Sequence, residues 1–141
     1  MKNYTVIRKA EEPKPRLQCA KCPWKVSTNP HEIPHGYCPT KHAALKGTIA
    51  KEGEYNIVGG IEVMACHDST IGKELVCVGW FDNQMGIGNN IGLRLAVMAK
   101  RIDHNVQIVG EQHKRFEDTL RTNEKRAQGW TRRRCRRESK K

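Results

Sequence analysis

The sequence predicts an α+β domain, small and metal-stabilised, made of a β-hairpin with two or three helices and followed by a basic C-terminal tail. Three observations lead there. The core is thin: 37% of the 141 residues are hydrophobic and 6% aromatic, with a mean hydropathy of -0.74. That leaves little apolar surface to offset roughly 1 to 2 kcal/mol of backbone entropy per ordered residue, so a cross-link would help, and six cysteines could supply it. Two β-branched apolar runs, "IEVMACHD" (61–68) and "ELVCVGWFD" (74–82), flank the polar turn "DSTIGK" and read as a hairpin. Helical periodicity follows Pro39 and again Asn90. The length suits one domain, divided as an N-terminal strand and linker (1–16), a metal-binding domain (17–110) and a basic helix and tail (111–141).

Each element has its own reason. "NYTVIRK" (3–9) alternates enough for a short strand, and "EEPKPR" is a proline-punctuated linker. "STNPHEIPHG" (27–36) is loop by composition. Pro39 suits the first position of a helix running to about Ala50, whose thin apolar face is Ala43, Ala44, Leu45 and Ile49; the glycines of "KEGEYNIVGG" end it. After "NQMGIGNN", Asn89 or Asn90 is a natural N-cap for the helix "IGLRLAVMAKR", with Ile91, Leu95 and Met98 on one side and Leu93 and Val97 widening the face. The last segment is polar, its first half suited to an exposed helix and its end to a chain that orders on binding.

The formal charge of +11 is uneven. Residues 111–141 hold 12 Lys/Arg against 5 Asp/Glu, a net +7, and the rest 14 against 10, a net +4. Such asymmetry points to a polyanionic partner, nucleic acid of either kind, DNA or RNA. No run reaches the roughly 18 to 20 apolar residues of a membrane span, and "MKNYTVIRKAEEPKPR" has no apolar core of signal-peptide type. A cytoplasmic protein is expected, without membrane contact, its cysteines thiols or metal ligands.

Cys19 and Cys22 form a C-x-x-C pair, whose turn can direct two thiolates at one Zn²⁺. Spacing offers two ways to complete the site. Cys38 and His42 would close a local Cys₃His finger; Cys66 and Cys77 would close a Cys₄ site tying the N-terminal loop to the hairpin. Buried structural thiols at Cys66 and Cys77 are the plainer alternative.

The ordered set Cys19-x-x-Cys22-Pro23-Trp24-Lys25, Ala65-Cys66-His67, Cys77-x-Gly79-Trp80 and Asn90-x-x-x-Arg94-Leu95 resembles a family of small cysteine-rich bacteriophage and bacterial proteins without an assigned activity. The likeness covers about residues 17–98. It implies one site built from Cys19, Cys22, Cys66 and Cys77, to which Cys38 and His42 do not belong. A Cys₄ set admits Zn²⁺ or an iron–sulfur cluster, and Cys-Pro is common in cluster loops. Zinc demands less of a domain short of core.

Other residues suggest chemistry less directly. On a strand, His67 would face away from Cys66; with Asn90 and Arg94 it could form a polar site, and a nuclease-like enzyme would use His67 and Arg94. Trp24 and Trp80 adjoin the ligand motifs and suit a shield for the metal. Trp130, among Lys125, Arg126, Arg132, Arg133, Arg134, Arg136 and Arg137, suits stacking on an unpaired base with arginines on phosphates. No paired carboxylates, nucleophile elbow or H-E-x-x-H is present, so a binding or regulatory module leads the enzyme reading. A phage-type inhibitor of a host protein is a third class.

Overall fold

A computed structural model of the chain describes residues 11–34, 37–51 and 61–120. The strand expected at 3–9 and the basic stretch from Lys125 onward lie outside them. The fold is α+β: among the described residues, a two-stranded parallel sheet, β1 (Arg16–Leu17) and β2 (Val106–Gln107), with four α-helices, α1 (Pro39–Ala44), α2 (Val78–Met85), α3 (Ile91–Met98) and α4 (Phe116–Leu120).

The helix starts follow local chemistry. Pro39 opens α1 behind an extended Cys38, since its missing N–H costs nothing in the first turn. The chain then tightens into a 3₁₀ turn, Leu45–Thr48, where the Thr48 hydroxyl donates to the Leu45 carbonyl at 2.7 Å. Asn90 caps α3, its side-chain oxygen accepting from the Leu93 amide at 2.9 Å. Lys100, with a φ of 57°, turns the chain out of that helix.

The hairpin is shorter than the sequence suggests. Its ladder is the Cys66 amide to the Leu75 carbonyl (2.7 Å) and the Cys77 amide to the Met64 carbonyl (2.8 Å), around a bridge between Ala65 and Val76. Gly72, with a φ of +86°, makes the tip. The expected second strand stops at Cys77, the N-cap of α2, and "VGWF" is helical. Val78, Gly79, Trp80 and Phe81 are all buried. A helix covered on most sides loses the amphipathic period and reads as a continuous apolar strand. Gly79 permits that burial, because a Cβ there would come within 2.6 Å of Trp24 Cβ.

The core is Cys22, Trp24, Met64, Cys77, Trp80, Phe81, Leu93 and Phe116. It extends past residue 110. The Val26 amide donates to the Glu111 carbonyl (3.1 Å), the His113 amide to the Trp24 carbonyl (2.8 Å), and Phe116 is buried against Trp24 with ring centroids 6.2 Å apart. Phe116 and Thr119, on the helix within this segment, are therefore buried in the core. The parallel pairing of Arg16 with Val106 and Leu17 with Gln107 was not legible either, since two residues carry no alternation. Beside it, Gln18 and Gln112 exchange side-chain amide hydrogen bonds at 2.8 and 2.9 Å, which fastens this return segment to the start of the C-x-x-C turn.

Candidate metal centre

Four free thiols come together from segments far apart in the sequence: Cys19, Cys22, Cys66 and Cys77. Cys19 and Cys22 lie on the turn that follows β1, closed by the Lys25 amide on the Cys22 carbonyl at 3.1 Å. Cys66 sits on the first arm of the hairpin. Cys77 ends the second arm and opens α2. The Cys22 and Cys77 sulfurs are 3.7 Å apart, and Cys19 hydrogen-bonds both Cys22 and Cys66. The thiols thus form a string, Cys77 to Cys22 to Cys19 to Cys66.

The string has a polarity. Hydrogen bonds from Cys19 and Cys77, helped by the Trp24 amide and the Gln18 side chain, hold the Cys22 thiol far below its ordinary value of 9.0. A hydrogen bond from Cys19 lowers Cys66 to about 6, with the Asp68 amide and the Arg16 charge adding to it. Donation to these neighbours, with burial, pushes Cys19 and Cys77 well up. Lowered and raised thiols thus alternate along the string. Among the described residues no group of three or more His, Cys, Asp and Glu stands as a metal site. Four cysteine sulfurs suit a thiophilic ion, which binds them as thiolates.

Apolar side chains cover the inner side. Trp24 and Trp80 are fully buried; the Trp24 indole N–H meets the Met64 sulfur at 3.5 Å, and that of Trp80 donates to the Thr48 carbonyl at 3.1 Å. Arg16 reaches over the outer side to donate to the Val76 carbonyl.

The other sequence candidates are dispersed. Asn90 is occupied as the cap of α3, and its side-chain N–H donates to Gln84 at 3.2 Å. Arg94 is exposed and donates to the Met85 carbonyl at 2.6 Å. His67 packs instead among Tyr37 and His42, with ring centroids 5.9 and 5.6 Å away. No hydrogen bond or ring contact joins His67, Asn90 and Arg94 to one another. Cys38 is disulfide-bonded, a departure from the expected thiol, so the local Cys₃His closure is not assembled. Trp130 and its neighbouring arginines lie outside the described residues.

A family model spans residues 13–136, from the segment before β1 through all six cysteines and every described strand and helix. The chain belongs to the family of unknown function DUF6283. The DUF6283 match reaches well past residue 98, where the sequence motifs end, in keeping with Phe116 and Thr119 being part of the core. No curated protein and no solved structure matches the chain. Among the described residues, no helix is long and apolar enough to cross a membrane.

Proposed function

We propose that this DUF6283 protein is a zinc-binding module that uses its basic C-terminal segment to bind nucleic acid in a regulatory or accessory role. The observation that carries the metal part is the 3.7 Å separation of the Cys22 and Cys77 sulfurs. Four thiolates at a Zn–S bond of about 2.3 Å sit at the corners of a tetrahedron with an edge of about 3.8 Å. Cys22 and Cys77 are one edge apart already, and Cys19 and Cys66 are the next sulfurs along. A cubane iron–sulfur cluster bonds one thiolate at each of four irons and spreads them wider. Zinc would convert a string of thiols into a staple joining the C-x-x-C turn, the hairpin and α2, which a domain with so small a core needs.

Metal analysis and an absorption spectrum of anaerobically purified protein test this reading. One zinc per chain and no visible band is the expected result; visible sulfur-to-iron absorption would replace zinc by a cluster. Four titratable thiols that persist after zinc is added would end the metal reading.

Support for the nucleic-acid part is the charge, +7 over residues 111–141. If Arg132, Arg133, Arg134, Arg136 and Arg137 neutralise phosphates on a single strand, the logarithm of affinity falls with log salt at a slope of roughly -3 to -4, from about -0.7 per contact. Trp130→Ala then weakens binding by about 1 to 3 kcal/mol. Unchanged binding after truncation at Gln128 would transfer the weight to a protein partner, the inhibitor reading.

A further inference from the structure

We propose that the cavity at the C-terminal end of α2 binds a single nucleotide, free or as one unit of a single nucleic-acid strand, with its phosphate on Lys51, Lys114 and Arg115 and its base against a wall of isoleucines. The cavity holds about 710 Å³, within the roughly 300 to 1,000 Å³ of small-molecule sites. It is remote from the thiols. Cys77 caps the start of α2, whereas Asn83 and Gln84, which line the cavity, lie towards the other end, about 9 Å along the helix axis.

The walls are tied together without a ligand. Gln84 is fully buried and joins separate segments: its Oε1 accepts from the Ala50 amide at 2.9 Å and from the Asn90 side chain at 3.2 Å, and its Nε2 donates to Asn83 Oδ1 at 3.0 Å. Asn83 in turn donates to the Lys114 carbonyl at 2.9 Å. One hydrogen-bonded run therefore fixes the residues after the 3₁₀ turn, the loop before α3 and the backbone that carries Lys114 and Arg115. Gly88 closes on this frame, since a Cβ there would stand 2.3 Å from Gln84 Nε2. A site held this way loses little further freedom when it is filled.

The lining selects the ligand. Lys51, Lys114 and Arg115 share the cavity with one carboxylate, Glu117, which Lys46 already pairs at 3.4 Å. The Arg115 pair with Asp118, at 3.5 Å and largely exposed, competes weakly with a phosphate. An anion is favoured. A bare inorganic ion would leave most of the volume empty and Ile49, Ile87 and Ile91 uncovered, and a carboxylate-rich peptide would also answer the cations alone. Those isoleucines suit the apolar faces of a base, and Asn89, exposed in the lining, adds an amide able to pair with a base edge. The inference rests on the nucleic-acid reading for its ligand class, though not for its residues. Phe116 and Glu117 of α4 line the cavity and the helix ends at Leu120, so the basic stretch from Lys125 begins no more than about 18 Å from that end. A strand held there has the cavity within reach.

The test follows amide spectra of the ¹⁵N-labelled full chain during titration with adenosine monophosphate, adenosine, inorganic phosphate, a short oligoadenylate and polyglutamate. Adenosine monophosphate should move the amides of Ala50, Gly88, Asn89 and Arg115 at lower concentration than adenosine or phosphate alone. Ile87→Asp, at a side chain 71% exposed, and Lys114→Gln combined with Arg115→Gln should each weaken this binding by about tenfold with the fold kept. Shifts confined to other residues, no shift with nucleotide or strand, affinity unchanged in both variants, or polyglutamate acting where the nucleotide does not would each overturn the site. Trp130→Ala in the full chain should leave the nucleotide shifts at the cavity as they were. Strand binding that falls with Trp130→Ala and not with the cavity variants would keep the basic tail and reject the cavity. Mononucleotide binding at the cavity with no strand binding would keep the cavity, as a site for free nucleotides, and reject the nucleic-acid reading.

Discussion

The four thiols divide into two unlike pairs. Cys22 and Cys77 are 0% and 1% exposed, packed with Trp24, Trp80 and Met64, whereas Cys19 and Cys66 are half-buried at the edge of the hairpin. The inner pair serves two roles, core and candidate ligand. The outer pair serves one. Within a single cluster, then, a residue's cost to the fold and its cost to metal binding should separate, and this separation is how the cluster can be taken apart experimentally.

The largest effect should come from the inner pair. Cys22→Ser or Cys77→Ser puts a hydroxyl among apolar side chains and also removes a thiol, so the chain should lose metal and lose its cooperative unfolding transition, given a total stability of only about 5 to 15 kcal/mol. Cys19→Ser and Cys66→Ser should lower metal content while leaving a folded, less stable domain. Circular dichroism melts with metal analysis on the four single variants check this. If all four behave alike without metal, burial is not what distinguishes the pairs.

How far the sequence revealed this division depends on the element. Cys19 and Cys22 could be paired from their spacing, and the helix start at Pro39 and the cap at Asn90 were readable because both are local chemistry. Cys66 and Cys77 joined them only through a motif resemblance, since their proximity arises from a hairpin ladder of two hydrogen bonds and a helix that reads as a strand. The histidine pair was hidden for a similar reason. Spacing sets His42 beside Cys38 as a ligand and His67 with Asn90 and Arg94 as a polar site, and nothing in it brings the two rings together. Thr119, whose hydroxyl is 2.9 Å from His42 Nε2, lies in a segment that reads as an exposed helix leading into a tail. Local signals survive in one sequence; contacts made by burial on several sides do not.

Gly79→Ala should produce a middle-sized effect confined to the inner side. The new methyl would meet Trp24 Cβ at 2.6 Å, against side-chain atoms next to the backbone that cannot swing away. Overpacking of this kind costs about 1 to 3 kcal/mol. Denaturant titration should show that loss with the half-buried thiols reacting as before. A stability unchanged by the methyl would mean that α2 can slide off Trp24, and the inner pair would then owe less to rigid packing than argued here.

The smallest effect, and the one specific to the outer pair, is in thiol reactivity. In metal-free protein Cys66 is lowered to about 6 and half-exposed, while Cys19, its donor, is held well up and Cys22, though lowered too, is fully buried. A thiol with a depressed pKa becomes the reactive thiolate as pH rises through that value. Alkylation at Cys66 should therefore climb with a midpoint near pH 6 and precede reaction at the other three, as peptide mass spectrometry can follow. Arg16→Gln removes a minor stabilising charge and should move the midpoint slightly upward, because the hydrogen bond from Cys19 is the larger cause. Removing that donor with Cys19→Ala should move it further up. Were Cys19 to react first, or were Arg16→Gln to outweigh Cys19→Ala, the polarity of the string would run the other way, and Cys66 would be the thiol that donates.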